Sequence, residues 1–106
     1  MQTSAGSAAS ARTSSPAAEL RAAVEHHGKG RLDKAEELYR RALRRHPDHP
    51  DILHLLGVLA FDRGRPERAL QLIGKALQAQ PNFADAHSNL GNVLRATGRR
   101  AEAIES

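Results

Sequence analysis

Residues 50–83 read PDILHLLGVLAFDRGRPERALQLIGKALQAQPNF, and this stretch decides the fold. Its apolar residues Leu53, Leu56, Val58, Leu59 and Ala60 include the three- and four-residue steps of one helix face. Pro50 suits the first turn of that helix, where an amide N–H would lack a partner in any case. Gly64 ends it, because glycine takes the left-handed conformation that a helix C-terminus often needs. Pro66 opens a second helix with an inward stripe of Ala69, Leu70, Ile73, Ala76 and Leu77. Pro81 stops it, since proline cannot donate and clashes with the preceding turn. The expected unit is helix, tight turn, helix, tight turn.

The same pattern recurs on either side. Gly30-Arg31, Gly64-Arg65 and Gly98-Arg99 fall 34 residues apart, and an alanine follows each glycine by five residues: Ala35, Ala69 and Ala103. Ala42/Ala76, Pro47/Pro81, Leu38/Leu72 and Leu43/Leu77 share the phase. A single globular core would not enforce that period, whereas an array of one repeated unit does. The registers run 16–49, 50–83 and 84–106, preceded by a Ser-, Ala- and Thr-rich stretch over 1–15 that is expected to be a disordered leader. A matching bend is expected at each of the three glycines. Small residues at equivalent positions, Gly57 with Gly91 and Ala69 with Ala103, predict helices crossing at about 8 Å. Leu56, Leu90, Tyr39 and Ile73 would fill the spaces beside them. One such hairpin cannot bury its apolar faces, so stacking on its neighbours must supply the core.

These residues resemble the tetratricopeptide repeat. Leu56-Gly57, Ala69, Ala76 and Pro81 carry the likeness in the second unit, and Asn89-Leu90-Gly91-Asn92 with Ala103 in the third. The first unit keeps Gly30, Ala35, Tyr39, Ala42 and Pro47 but has Ala22-Ala23 where the family has Leu-Gly. Glu19, Leu53 and His87 stand where an aromatic residue is usual. The resemblance covers roughly residues 16–106. It implies an all-α fold: a tetratricopeptide-type α-solenoid of antiparallel helix pairs, with two full repeats and a truncated third. The implied function is a non-catalytic protein–protein interaction scaffold.

The resemblance also implies where a partner peptide would lie. The first helix of each unit lines a concave groove, through Ala17, Leu20, Arg21, Val24, His27 and Gly28 in the first unit. Asp51, His54, Leu55, Val58, Phe61 and Asp62 do so in the second, and Asp85, Ser88, Asn89, Asn92, Arg95 and Ala96 in the third. The candidate ligand-groove residues are therefore His54, Val58, Phe61, Asn89, Asn92 and Arg95. Asparagine amides both donate and accept, which suits an extended backbone. Val58 and Phe61 offer an apolar wall, and Arg95 a grip for a carboxylate. The plainer alternative is that Phe61 packs on Leu94 and the asparagines cap locally. The two-carboxylate clamp of chaperone-binding members is absent, because Leu20, Arg21, Val24, His54, Leu55 and Val58 hold its positions.

Two further readings stay open. The runs His54–Val58 and His87–Asn92 are similar to repeats preceding the transferase domain of bacterial O-linked N-acetylglucosamine transferase-like proteins, which implies a substrate-presenting arm of a larger enzyme. The sequence reaches Ser106 inside the third unit's second helix, so Leu90, Val93, Leu94 and Ile104 are expected to form an uncapped apolar edge. Such an edge implies a fragment of a longer protein, or self-association through it.

Composition narrows the chemistry. The net charge of +4 invites a nucleic-acid reading, but thirteen of the sixteen cations are arginine amid abundant alanine, the signature of a GC-rich genome. Arg40, Arg41, Arg44, Arg45 and His46 form the one dense cluster, on the side of an outer helix expected to face solvent. No interleaved aromatics support stacking on bases, so a nucleic-acid partner is not expected. With no cysteine there is neither disulfide nor thiol nucleophile, and the cytoplasm is the expected location. The leader lacks the apolar run of a secretory signal. Nothing approaches the ~18 apolar residues of a membrane span. The six histidines form no ligand set: His26 and His27 diverge, His46 and His49 flank a turn, and no second pair faces Asp51 and His54. Gly28-Lys29-Gly30 lacks the first glycine and the hydroxyl residue of a phosphate loop, with Ala23 and Gly30 in their places. No catalytic residue, cofactor or metal is expected of these residues.

Overall fold

The computed structural model describes the backbone of residues 16–105 and the side chains of residues 17–99. The leader expected over 1–15 lies outside the described residues, as do the side chains of Ala103 and Ile104. Five helices succeed one another, with no strand among the described residues: α1 (Pro16–Gly28), α2 (Leu32–Arg45), α3 (Pro50–Asp62), α4 (Pro66–Ala79) and α5 (Ala84–Glu105). Proline stands in the first turn of α3 and of α4, where it removes no hydrogen bond.

The first two bends are built alike. Gly30 and Gly64 hold φ of 78° and 77°, the left-handed region that a side chain would disfavour. At the first bend the Arg31 N–H donates to the His26 carbonyl (2.9 Å) and the Gly30 N–H to the His27 carbonyl (3.1 Å). At the second, Arg65 donates to Ala60 (2.8 Å) and Gly64 to Phe61 (3.0 Å). This nested pair satisfies carbonyls that the helix end would otherwise orphan, and it requires the positive φ.

Gly98 does not bend the chain. α5 passes through it as one helix of 22 residues, against the expectation of a third matching turn. The physical difference lies in the segment after each glycine. Gly64 leads into a fourteen-residue helix whose Ala69, Leu72, Ile73 and Ala76 are buried against the core. Residues 99–105 offer only Ala101, Ala103 and Ile104, too little apolar surface to offset ordering a turn. Continuing the helix retains its backbone hydrogen bonds, at a cost of about 1 kcal/mol for interior glycine.

Packing is densest within the hairpins, α1 on α2 and α3 on α4, and then between successive hairpins, α4 on α5 and α2 on α3. The first helices also meet one another, α1 touching α3 and α3 touching α5. Tyr39, Ile52, Leu59, Ile73 and Val93 are the largest fully buried side chains of a continuous core. Gly57 explains how close α3 and α4 come: a Cβ there would lie 2.7 Å from Ile73 Cγ1 and 3.3 Å from Leu72 Cβ. Gly91 shares its place in the unit but not its role, since only the flexible end of Arg95 comes within 4 Å. The expected apolar edge is also smaller than the sequence suggests. Of its described members, Val93 is buried in the core, Leu90 is half-buried and Leu94 is exposed.

Candidate functional site

The face formed by α1, α3 and α5 carries the candidate residues, and its polar groups are joined across repeats. The Asn89 amide nitrogen on α5 donates to His54 Nε2 on α3 at 2.8 Å. Because an amide NH2 only donates, His54 must offer a bare Nε2 and carry its proton on Nδ1. His54 is 6% exposed, and its ring lies tilted against Phe83 with centroids 4.8 Å apart. Burial pushes its pKa below 6.5, opposed by the nearby carboxylates of Asp85 and Asp51. The neutral ring that the Asn89 bond demands is thus the one burial favours.

A second link joins the first two hairpins. The buried Tyr39 hydroxyl donates to His27 Nδ1 (3.1 Å), and His27 Nε2–H donates to the Asp62 carboxylate (2.7 Å). Burial, and then the Asp62 charge, push the Tyr39 pKa up to about 12, which keeps the phenol a donor. Tyr, His and Asp in a row could suggest a nucleophile relay, but Tyr39 is fully buried and the row serves packing. Both links span 35 residues, one more than the repeat period. The sequence reasoning missed them. Their signal was a polar residue paired with another at one repeat plus one position, as in His27/Asp62 and His54/Asn89.

The other candidates sit at differing depths. Val58 and Phe61 are half-buried on α3, Phe61 packing against the core. Asn92 and Arg95 are exposed on α5, one turn apart, and Asn92 Oδ1 accepts a hydrogen bond from the Arg95 guanidinium. In the first unit Leu20 belongs to the core rather than to an open face, whereas Arg21 and Val24 are exposed. Among the described residues no three His, Asp or Glu side chains converge in a group able to hold a metal. None of the described helices is long and apolar enough to cross a membrane.

Stacked antiparallel hairpins whose first helices share one face define an α-solenoid of the protein-interaction class. The sequence model of the Tetratricopeptide repeat family matches residues 20–82 and again 54–106, two matches that begin one 34-residue period apart. The chain belongs to that family, whose repeats are protein–protein interaction scaffolds and generally non-catalytic. Among solved structures, MamA is similar with a TM-score of 0.73 and 22% identity over 88% of this chain, a likeness of fold. A mutant of the Thermobaculum terrenum O-GlcNAc transferase is similar with a TM-score of 0.67 and 32% identity over 87% of this chain. The chain spans 54% of the MamA chain and 18% of the transferase chain. No curated protein matches it.

Proposed function

We propose that the chain holds an extended peptide of a partner protein along the face shared by α1, α3 and α5. The repeat boundaries in this reading fall between residues 49 and 50 and between 83 and 84. The observation that carries it is the exposed Asn92–Arg95 pair beside an Asn89 that buried His54 holds in place. With its nitrogen committed to His54, Asn89 keeps its carbonyl for a peptide N–H. Arg95 is placed to exchange its bond with Asn92 for a partner carboxylate, a stronger charge-assisted contact. Val58 and Phe61 supply apolar contact between these polar points, and His54 contributes through Asn89 rather than by touching the ligand.

A displayed peptide library, panned against the wild-type chain and against the double variant Asn92→Ala with Phe61→Ala, tests the assignment. Enrichment of a common motif by the wild type alone is the expected result. The same motif recovered equally by both chains would remove the groove.

A second reading is favoured by the 32% identity to the O-GlcNAc transferase: the chain is a repeat segment of a larger transferase and presents protein substrates to it. The genomic reading frame beyond Ser106 decides this, since the reading requires a transferase domain in the same protein. Light scattering over a range of concentrations addresses self-association through exposed Leu94, which requires mass to rise with concentration.

A further inference from the structure

The backbones of α2 and α4 do not pack directly on each other, and a cleft lies between the two helices, away from the face shared by α1, α3 and α5. Its main cavity has a volume of about 280 Å³ and is lined by Arg40, Leu43, Arg44, Pro47, Leu56 and Arg68. Leu56 is buried and Leu43 half-buried, so they form an apolar floor, while the three arginines are exposed around it. A smaller void continues from it past Glu36 and Arg65.

Glu36 shows what these arginines accept. Its carboxylate lies 2.8 Å from Arg40, 3.4 Å from Arg63 and 3.6 Å from Arg65. Arg44 differs from its neighbours: Arg41 pairs with Glu37 and Arg45 with Glu19, but Arg44 has no hydrogen-bond or ion-pair partner among the described residues. Among the described residues, Arg68 donates only to the neutral amide oxygen of Gln71, at 3.2 Å. The two voids together thus face four arginines with one carboxylate, which is already engaged.

We propose that this cleft is a second docking site, which takes an acidic segment of a partner protein. A carboxylate sits between Arg44 and Arg68, and an adjacent leucine-sized side chain lies on Leu43, Leu56 and Pro47. A volume of about 280 Å³ accommodates a leucine-sized side chain, with the carboxylate at the arginine rim. Nucleic acid would satisfy the charge but leave the apolar floor unused, and no aromatic lines the cleft to stack a base. Residues 1–15 are the wrong occupant, because Arg12 is their only charged side chain. A second copy carries the same net positive charge, which disfavours it likewise.

The test is a titration of the isotope-labelled full chain with the peptide acetyl-Glu-Leu-Leu-Glu-amide, monitored residue by residue by nuclear magnetic resonance. Saturable shifts at Leu43, Arg44 and Arg68 are expected, with acetyl-Gln-Leu-Leu-Gln-amide weaker by about tenfold or more. The double variant Arg44→Ala with Arg68→Ala should lose the same factor while keeping its helical circular dichroism, since both side chains are exposed. Equal binding of the two peptides would overturn the proposal, as would unchanged affinity in the double variant. Shifts confined to Asn92 and Arg95 would do so while supporting the first-helix groove. A thymidine oligonucleotide that displaced the acidic peptide from Arg44 and Arg68 would reassign the cleft to nucleic acid.

Discussion

Gly57→Ala and Gly91→Ala are the same change at equivalent places in two repeats, and the structure gives them opposite signs. An added methyl at residue 57 would lie 2.7 Å from Ile73 Cγ1, about 1 Å inside the ordinary 3.5–4.0 Å carbon contact. Ile73 is fully buried and Leu72 Cβ, at 3.3 Å, is fixed to its backbone, so neither neighbour has room to retreat. Overpacking of this kind costs about 1–3 kcal/mol. Alanine's better helix propensity returns about 1 kcal/mol, leaving a net loss of about 1 kcal/mol. For a domain of this size that lowers the melting temperature by roughly 4–8 °C. At residue 91 the methyl meets only Arg95 Nη1 at 3.7 Å, so the propensity gain stands alone and stability rises by up to about 1 kcal/mol. Thermal and urea unfolding monitored by far-ultraviolet circular dichroism reads both. A Gly57→Ala chain as stable as the Gly91→Ala chain would refute the close crossing of α3 and α4.

Three further outcomes rest on named contacts. Because the folded-state pKa of Tyr39 is raised from 10.0 to about 12, its contribution is intact below pH 10 and is lost as pH rises towards 12; the loss approaches about 3 kcal/mol and should vanish from the stability–pH profile of Tyr39→Phe. His54 titrates the other way: its folded pKa lies below 6.5, so its contribution is complete above that value and declines as pH falls through it. His54→Gln, which still offers Asn89 an acceptor, should flatten that acid limb, and an unchanged limb would place the titration elsewhere. Gly64→Ala, at a φ of 77°, should cost about 1–2 kcal/mol, whereas Gly98→Ala, inside a continuous helix, should gain up to about 1 kcal/mol. Equal losses at the two glycines in thermal melts would restore a bend at Gly98.

The hairpins were legible because their punctuation is local. A glycine that must take positive φ and a proline in a first turn act through their own backbone, so Gly30, Gly64, Pro50 and Pro66 could be read singly. Gly98 carries the same dipeptide and misled for a physical reason: a turn persists only when the helix after it buries enough to hold it. The Leu-Gly of the second and third units diverged likewise, since a neighbouring helix makes Gly57 indispensable and none crowds Gly91. The sequence places Arg44 on a solvated face, and it is exposed. Its apolar neighbour Leu56 comes from another helix, and only the fold brings the two to one cleft.

Which residues share the face of α1, α3 and α5 was legible in outline, but the links among them were not. Position within the repeat says which residues share the face and nothing of how far one first helix is shifted against the next. That shift sets the pairing at one repeat plus one residue, and so commits His27 to Asp62 and His54 to Asn89. The atoms so committed hold the hairpins in register and are costly to recruit for a ligand, because a buried partner such as His54 would be left unsatisfied, although Asn89 keeps its carbonyl oxygen uncommitted to His54. Asn92 and Arg95 bear no such duty. Their bond is made within α5 and at the surface, so exchanging it leaves no buried group without a partner. If the proposed peptide groove holds, the α5 end of the face is the part free to discriminate among partners, while the linked side chains of α1 and α3 keep the surface in shape.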